Sequence, residues 1–396
     1  MSPSVTQSAS RDRDPRRVSV VSGRGVDSRA TPRNQYTRVV PSGGFRFAVV
    51  VSLALAAVTA AVAATYHLPV RDPDGVAVPT YVRLPFILLL AFLTDVVPRA
   101  VWQAVWLGRS PRQVPRTLVA VIRRRWPWDH VRFALVGLGA WYLTYAAFRN
   151  LKSYVPFVNR RLWDSTLERI DRVLWLGHDP AGVLHSVFGT GWAAHFFSLV
   201  YVIWIVLVPV SLVVALVWSR NRAGGAWYVT AVAVDWVLGV ATYFAVPTLG
   251  PVYAAPQDFT ALPHTYVSTL QESMLSDRYT VLFDPFATHT VQTIAAFASL
   301  HVGIMVTVCL MVELLRLKTG MRALMWVFLA LTVLATVYLG WHYFVDALGG
   351  AALGAAGVWI AALGTGNHVH GRPMLVSGAV VAEQQRGRTE PADVRG

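Results

Sequence analysis

Lysine is almost missing from this chain. Lys152 and Lys318 are the only two among 35 basic residues; the rest are arginine. Cysteine is rarer still. The single Cys309 lies inside an apolar segment, so an internal disulfide is excluded and the thiol reads as an inert packing residue. Charge is scarce: Asp, Glu, Lys and Arg make up 14% of the chain against 55% hydrophobic residues. With a mean hydropathy of +0.46, this balance excludes an ordinary soluble protein. The alternating pattern of a membrane β-barrel is absent, as is a strong tandem repeat.

What is present is a series of apolar runs long enough to cross a bilayer as helices. The expected fold class is therefore all-α, a polytopic membrane helical bundle. The net charge of +14 does not point to nucleic acid, because the basic residues gather in a tail and in short loops between apolar runs. The expected partners are the lipid bilayer and membrane lipids, with no nucleic acid. Nothing in the residues sets an oligomeric state. Residues 1–44 read as a disordered basic tail. The expected spans cover about 45–66, 82–107, 131–149, 192–218, 226–247, 292–316, 322–340 and 342–364. The first is too long for a signal peptide and follows too long a tail, so it reads as a retained anchor. The second is interrupted by Asp95, Pro98 and Arg99 and is expected to be broken or re-entrant. The organisation expected is two N-terminal spans (45–107), a basic cytoplasmic loop (108–130), a six-helix core (131–365) and a disordered cytoplasmic tail (366–396).

The arginines set the orientation. Loops 108–132, 219–222 and 316–322 are basic, and with eight spans all three fall on the side of the N-terminal tail. Calling that side cytoplasmic satisfies each of them and places both termini inside. Low lysine with abundant Arg, Ala, Gly and Val points to a high-GC bacterium, and so to a bacterial cell membrane. Segment 158–176 has Trp163, Leu167, Ile170 and Leu174 at helical spacing amid charge, the pattern of an interfacial amphipathic helix. Segment 248–291 is long and polar and is expected to cap a site.

The chemistry centres on Ser299-Leu300-His301 and on His342-Tyr343-Phe344-Val345-Asp346. From His301, roughly 16 helical residues descend about 24 Å, a basic turn follows, and roughly 20 residues climb back to His342. Both motifs therefore return to one face of the membrane, outside. Ionisable residues at membrane segments are costly and mark function. His342 and Asp346 are four apart and share a face on a helix. A carboxylate on one imidazole nitrogen fixes the tautomer and leaves the other nitrogen nucleophilic. His301 is then free to act as general acid. Ser299 and the amides at the start of its helix are positioned to hold phosphate oxygens. A metal site is the alternative, since His-x3-Asp is also ligand spacing and His264 and His289 are near in sequence. Asp235, within an apolar span, reads as a packing or capping contact. The glycines of the last span, among them Gly350, Gly354 and Gly357, read as close helix packing.

These motifs resemble the type-2 phosphatidic acid phosphatase superfamily, and within it the branch of inositol phosphorylceramide synthases. Ala298-Ser299-Leu300-His301, followed by Val302-Gly303, is similar to its second motif. Gly340-Trp341-His342-Tyr343-Phe344-Val345-Asp346 is similar to its third. Pro247-Thr248-Leu249-Gly250-Pro251-Val252-Tyr253 lies where the first is expected. The resemblance implies a six-helix core over about 130–365 with the two N-terminal spans additional. It further implies a phosphohistidine on His342, orientation by Asp346, His301 as acid and then base, and no metal or other cofactor. The expected phosphate-binding set is Ser299, Leu300, Gly250 and Pro251 from the matched motifs, with Arg278 as the candidate cation. The superfamily's usual cations are replaced by Tyr243, Gly250 and Thr336, so positive charge has to come from Arg278, His289, Arg149, Lys152, Arg160 or Arg161. The reading is a lipid phosphotransferase moving inositol phosphate. The alternatives are a phosphatase acting on phosphatidate or polyprenyl phosphates, and a non-catalytic lipid-binding membrane protein.

Overall fold

A backbone surrounded by hydrocarbon must bond to itself, and this chain does so by coiling almost throughout. The computed structural model describes residues 44–72, 80–106, 108 and 113–375. The expected tails before residue 44 and beyond residue 375 lie outside the described residues. The helices are α1 (Arg46–Thr65), α2 (Thr80–Trp106), α3 (Val114–Arg125), α4 (Trp128–Val158), α5 (Asp164–Leu174), α6 (Pro180–Phe188) and α7 (Trp192–Val213). They continue with α8 (Arg222–Ala245), α9 (Pro251–Ala254), α10 (Tyr266–Phe283), α11 (Leu300–Leu314), α12 (Thr319–Tyr338) and α13 (Phe344–Thr365). A π-helical turn, Val214–Trp218, extends α7. The two-residue strands His368–Val369 and Arg372–Pro373 pair antiparallel just after α13. The fold is all-α.

Among the described residues, six helices are long and apolar enough to cross a membrane: α1, α4, α7 with its π turn, α8, α12 and α13. The chain is a multi-pass integral membrane protein. Four sequence expectations need correction. The span expected over 292–316 is helical only from Leu300, because Ser299 caps the helix there and the preceding residues are drawn out against Thr248. The second span is unbroken through Asp95 and Pro98. Its buried Asp95 meets the guanidiniums of Arg99 and Arg125 and the Trp126 indole, which removes the reason for a break. The basic stretch expected as a loop contains α3, which buries Val121 against Val96 and Ala100 of α2. The cap segment is also largely ordered, with α9, a 3-10 turn (Pro256–Phe259) and the 18-residue α10.

The bundle is organised around α8, which packs on α13, α4, α11 and α1. Its Trp227 is fully buried and donates to the Val358 carbonyl at 2.9 Å. Asp235, at 0% exposure, accepts from the Thr307 hydroxyl at 2.7 Å and lies against Gly357, where a side chain would occupy the space of its carboxylate. It is a helix-packing contact between α8, α11 and α13. The basic loops meet at one end of the bundle: Arg220 donates to the Arg125 carbonyl at 2.6 Å, and Leu315, beside Arg316, packs on Gly224.

Candidate active site

The other end of the bundle brings His301 and His342 together. Ser299 starts α11 by accepting the Val302 amide at 3.4 Å on its own hydroxyl, and His301 is the second residue of that helix. His342 lies in the turn between α12 and α13. That turn is fixed by the Thr336 carbonyl, which accepts the amides of Trp341 at 2.9 Å and His342 at 3.2 Å. Helix α13 begins only at Phe344, with Tyr343 as its cap. His342 is thus outside the helix that carries Asp346, and the shared helical face expected from the sequence is not how they meet. Asp346 instead reaches back over the first turn, accepting the Tyr343 amide at 3.0 Å and standing 3.3 Å from His342 Nδ1 on the same oxygen.

The polar atoms form a chain. His301 Nδ1 is 2.9 Å from His342 Nε2, and His301 Nε2 is 3.2 Å from the Tyr201 hydroxyl on α7. With Asp346 ionised, one set of tautomers satisfies every contact: Tyr201 donates to His301 Nε2, His301 Nδ1–H to His342 Nε2, and His342 Nδ1–H to Asp346. His301 is therefore engaged at both nitrogens, where the sequence reading left it free. Its ring is also packed between Tyr201 and Trp204, and the Trp204 indole donates to the His301 carbonyl at 3.1 Å. Trp341 stacks on Tyr201, and its buried indole N–H has no acceptor among the described residues.

Two acids of α5 hold the loops around this chain. Asp164 accepts the amides of Leu249 and Gly250, both at 3.0 Å, and the Tyr343 hydroxyl at 3.2 Å. Asp171, two turns on, accepts the amide of Val345 at 2.8 Å and that of Phe344 at 2.5 Å. Burial raises both carboxyls, Asp171 to about 6, while the amide hydrogen bonds act in the opposite direction. The buried face of α5 is thus acidic: Leu167 is buried, but Ile170 and Leu174 are exposed. The hydrophobic spacing read from the sequence is not the spacing that positions this helix. Acids seven apart on one helix, 164 and 171, were the available signal.

Gly250 and Pro251 stand against the His342 turn. Gly250 has φ +98°, and a Cβ there would meet the Trp341 carbonyl at 2.6 Å, so only glycine brings the loop this close. Its amide is already bonded to Asp164, and Ser299 is fully buried with its hydroxyl in the helix cap. Leu300 is buried against Gly239. Arg278 bonds Gln292 at 3.3 Å and lines a small pocket with Arg160, apart from the histidines. Arg161 lies over the Trp163 ring, and His289 is exposed. His264 faces Glu272 at 3.5 Å. No group of three or more His, Cys, Asp or Glu residues is arranged to hold a metal among the described residues.

The cations that share a cavity with His301 and His342 are Arg149 and Lys152, both from α4. The Lys152 ammonium is 4.7 Å from the Tyr243 ring centroid and pairs with no carboxylate among the described residues. The cavity encloses about 1270 Å³ and is otherwise mostly apolar. An anion at its polar end would meet Lys152, the two imidazoles and the unmatched Trp341 N–H.

No curated protein and no solved structure matches the chain. Residues 165–360 match the family model described as PAP2 superfamily. The matched segment carries Asp171, Tyr201, His301, His342 and Asp346.

Proposed function

We propose that this protein transfers a phosphoryl-linked headgroup between membrane lipids through a phosphohistidine on His342. The match of residues 165–360 to the PAP2 superfamily model supports phosphoryl chemistry on lipid phosphates. The observation that carries the mechanism is the Tyr201–His301–His342–Asp346 chain at the polar end of an apolar cavity. The rings of His301 and His342 must part to admit a phosphate, since 2.9 Å leaves no room for phosphorus. His342 Nε2 then attacks phosphorus, and the bond from phosphorus to the leaving lipid oxygen breaks. The proton on His301 Nδ1 goes to that oxygen. Asp346 holds His342 Nδ1–H and stabilises the charge that develops on the ring. In the second half, an acceptor hydroxyl gives its proton to His301, its oxygen bonds to phosphorus, and the P–N bond breaks. Lys152 and the Trp341 N–H face the phosphoryl oxygens as their charge grows.

Two features favour an alcohol acceptor over water. His342 is only 4% exposed, and the cavity that reaches it is predominantly apolar. The lysine-poor, arginine-poor phosphate site also suits a diester, which carries less charge than a monoester. The headgroup implied by the motif resemblance is inositol phosphate. The gathering of the basic loops at the opposite end supports an extracytoplasmic site under the positive-inside rule, and the proposed setting is a bacterial cell membrane with both termini cytoplasmic. The proposed catalytic core is 131–365, because α4 supplies Lys152.

The test offers purified wild type and His342→Ala a mixed panel of lipid phosphomonoesters and phosphodiesters and reads the products by mass spectrometry. A new headgroup-bearing lipid made by wild type alone is the expected result. Free phosphate alone, again lost in the variant, would replace transferase with phosphatase. Identical traces from both proteins would overturn the catalytic reading.

A further inference from the structure

The cavity that ends at His342 is much longer than phosphoryl transfer requires. Its lining on α4 runs from Val131 to Lys152, a rise of about 32 Å. The hydrocarbon core of a bilayer is about 30 Å thick, so a tail confined to one leaflet fills roughly half of this length. The volume of this half-open cavity, about 1270 Å³, also exceeds the roughly 300–1,000 Å³ of a pocket for a small molecule. The charged and imidazole groups lie at one end, at Lys152, Arg149, Asp277, His301 and His342, while Leu138, Val208 and Leu212 line the middle. Phe92 of α2, Ile122 of α3 and Trp126, which caps α3, line the far end. These N-terminal walls precede residue 165 and so lie outside the PAP2 superfamily match.

We infer that the cavity is a tail-binding subsite for a lipid phosphate whose apolar chain is longer than one leaflet, and that α2, α3 and the first half of α4 set this chain-length selectivity. The inference rests on the proposed function for the identity of the head. The tail subsite itself rests on the continuity of the apolar wall with the cationic end. An ordinary leaflet-length lipid would leave the Phe92–Ile122–Trp126 end empty. A longer chain entering head-first at Lys152 covers the whole wall and removes it from contact with water or loose lipid.

The experiment measures kcat/KM for wild type on lipid phosphates of one headgroup and increasing tail length in mixed micelles. The expected result is at least a tenfold rise as the tail passes leaflet length. In Leu138→Trp, placed about 21 Å along α4 from Lys152, the ratio of long-tail to short-tail kcat/KM is expected to fall at least tenfold. A second measurement uses wild type alone, with a long-tail lipid phosphate bearing a photoreactive group at the tail end. Labelling of peptides from α2 and α3 is expected. A wild-type ratio that levels off at leaflet length, an unchanged ratio in Leu138→Trp, or labelling confined to peptides beside Lys152 would each overturn the inference. If tail length has no effect while His342→Ala abolishes turnover, the tail subsite fails and the proposed function stands. If no lipid is turned over, the proposed function fails, and the photolabel alone decides the subsite.

Discussion

The two ends of the bundle treat their acids in opposite ways. At the basic end, guanidiniums neutralise the carboxylates: Asp95 meets Arg99 and Arg125, and Glu313 meets Arg322. At the histidine end, acids are satisfied by backbone amides, a tyrosine and an imidazole. Asp164 takes Leu249, Gly250 and Tyr343; Asp171 takes Phe344 and Val345; Asp346 takes Tyr343 and His342. The difference has a chemical consequence. An arginine bonded to a structural acid has little positive potential left for a ligand, whereas a neutral amide meets the same acid without using up a cation. The histidine end is therefore held rigid by carboxylates while Lys152 faces the cavity without a carboxylate partner.

That contrast is broken most directly by exchanging which charges matter. Lys152→Met is expected to lower turnover by about 10²–10³, the usual loss when one stabilising donor is taken from a phosphoryl or oxyanion site, and Lys152→Arg to recover part of it. Asp95→Asn at the other end should leave turnover per folded molecule unchanged. It should destabilise the fold by about 3 kcal/mol, because it leaves guanidiniums around a buried site without their counter-charge. Turnover assays paired with thermal unfolding in detergent separate the two outcomes. A turnover loss in Asp95→Asn matching that of Lys152→Met would erase the proposed distinction between the ends.

The amide-bonded acids are the next point to test. Asp164→Ala removes the acceptor for two amides and one hydroxyl, each costing about 1–3 kcal/mol if left buried and unpaired, though relaxation of the loop will recover some of this. The expected result is a lowered Tm together with a drop in kcat of about tenfold, from misplacement of the His342 turn. Asp164→Asn retains one acceptor and should fall between. A normal kcat in folded Asp164→Ala would mean that α5 supports the fold without positioning the site.

Much of this arrangement was legible in the sequence. The apolar runs gave the helices, and the arginine loops did come together at one end. The return of His301 and His342 to one level followed from helix rise alone. What was not legible depended on atoms contributed by distant backbone. Asp346 reaches His342 across a capped helix start, not along a helix, and only the position of the Tyr343 cap reveals that. Asp164 and Asp171 are not legible because charge set between the apolar positions of 158–176 reads as an interfacial amphipathic helix, whereas the amides that meet these acids come from residues 85 and more further along. Arg278 was offered as a phosphate ligand by its side of the membrane, and the structure places it in a different pocket with Gln292. Span 292–316 was too long because an apolar run does not record where Ser299 will cap.

Asp171 gives the contrast a pH signature. Burial lifts its carboxyl from 3.8 to about 6, so the folded protein holds this proton more tightly than the unfolded chain. Its stabilising contribution is fully present below about pH 4 and is lost as pH rises through about 6. Asp171→Asn carries no titrating group. The Tm of wild type minus that of Asp171→Asn should therefore be larger at pH 5 than at pH 7.5. An ion-paired acid lowered by a cation would give the reverse trend, so a difference that grows with pH would show that Asp171 is held in the manner of the basic end.

The smallest expected effect concerns Ser299. The sequence offers it as a phosphate ligand, but its hydroxyl accepts the Val302 amide and its own amide donates to the Asp346 carbonyl at 3.0 Å. Those bonds tie the start of α11 to α13, and so tie His301 to the helix that carries Asp346. If capping is its whole role, Ser299→Ala costs about 1 kcal/mol of stability and changes kcat/KM by less than about threefold, since the backbone tie survives. Ser299→Thr keeps the capping hydroxyl and should restore most of that stability with turnover near wild type. That joint recovery of Tm and turnover is the behaviour of a cap close to the site. A loss above tenfold in Ser299→Ala with unchanged Tm would instead make the hydroxyl a phosphate contact, and would add a second neutral donor beside Lys152 and the Trp341 N–H.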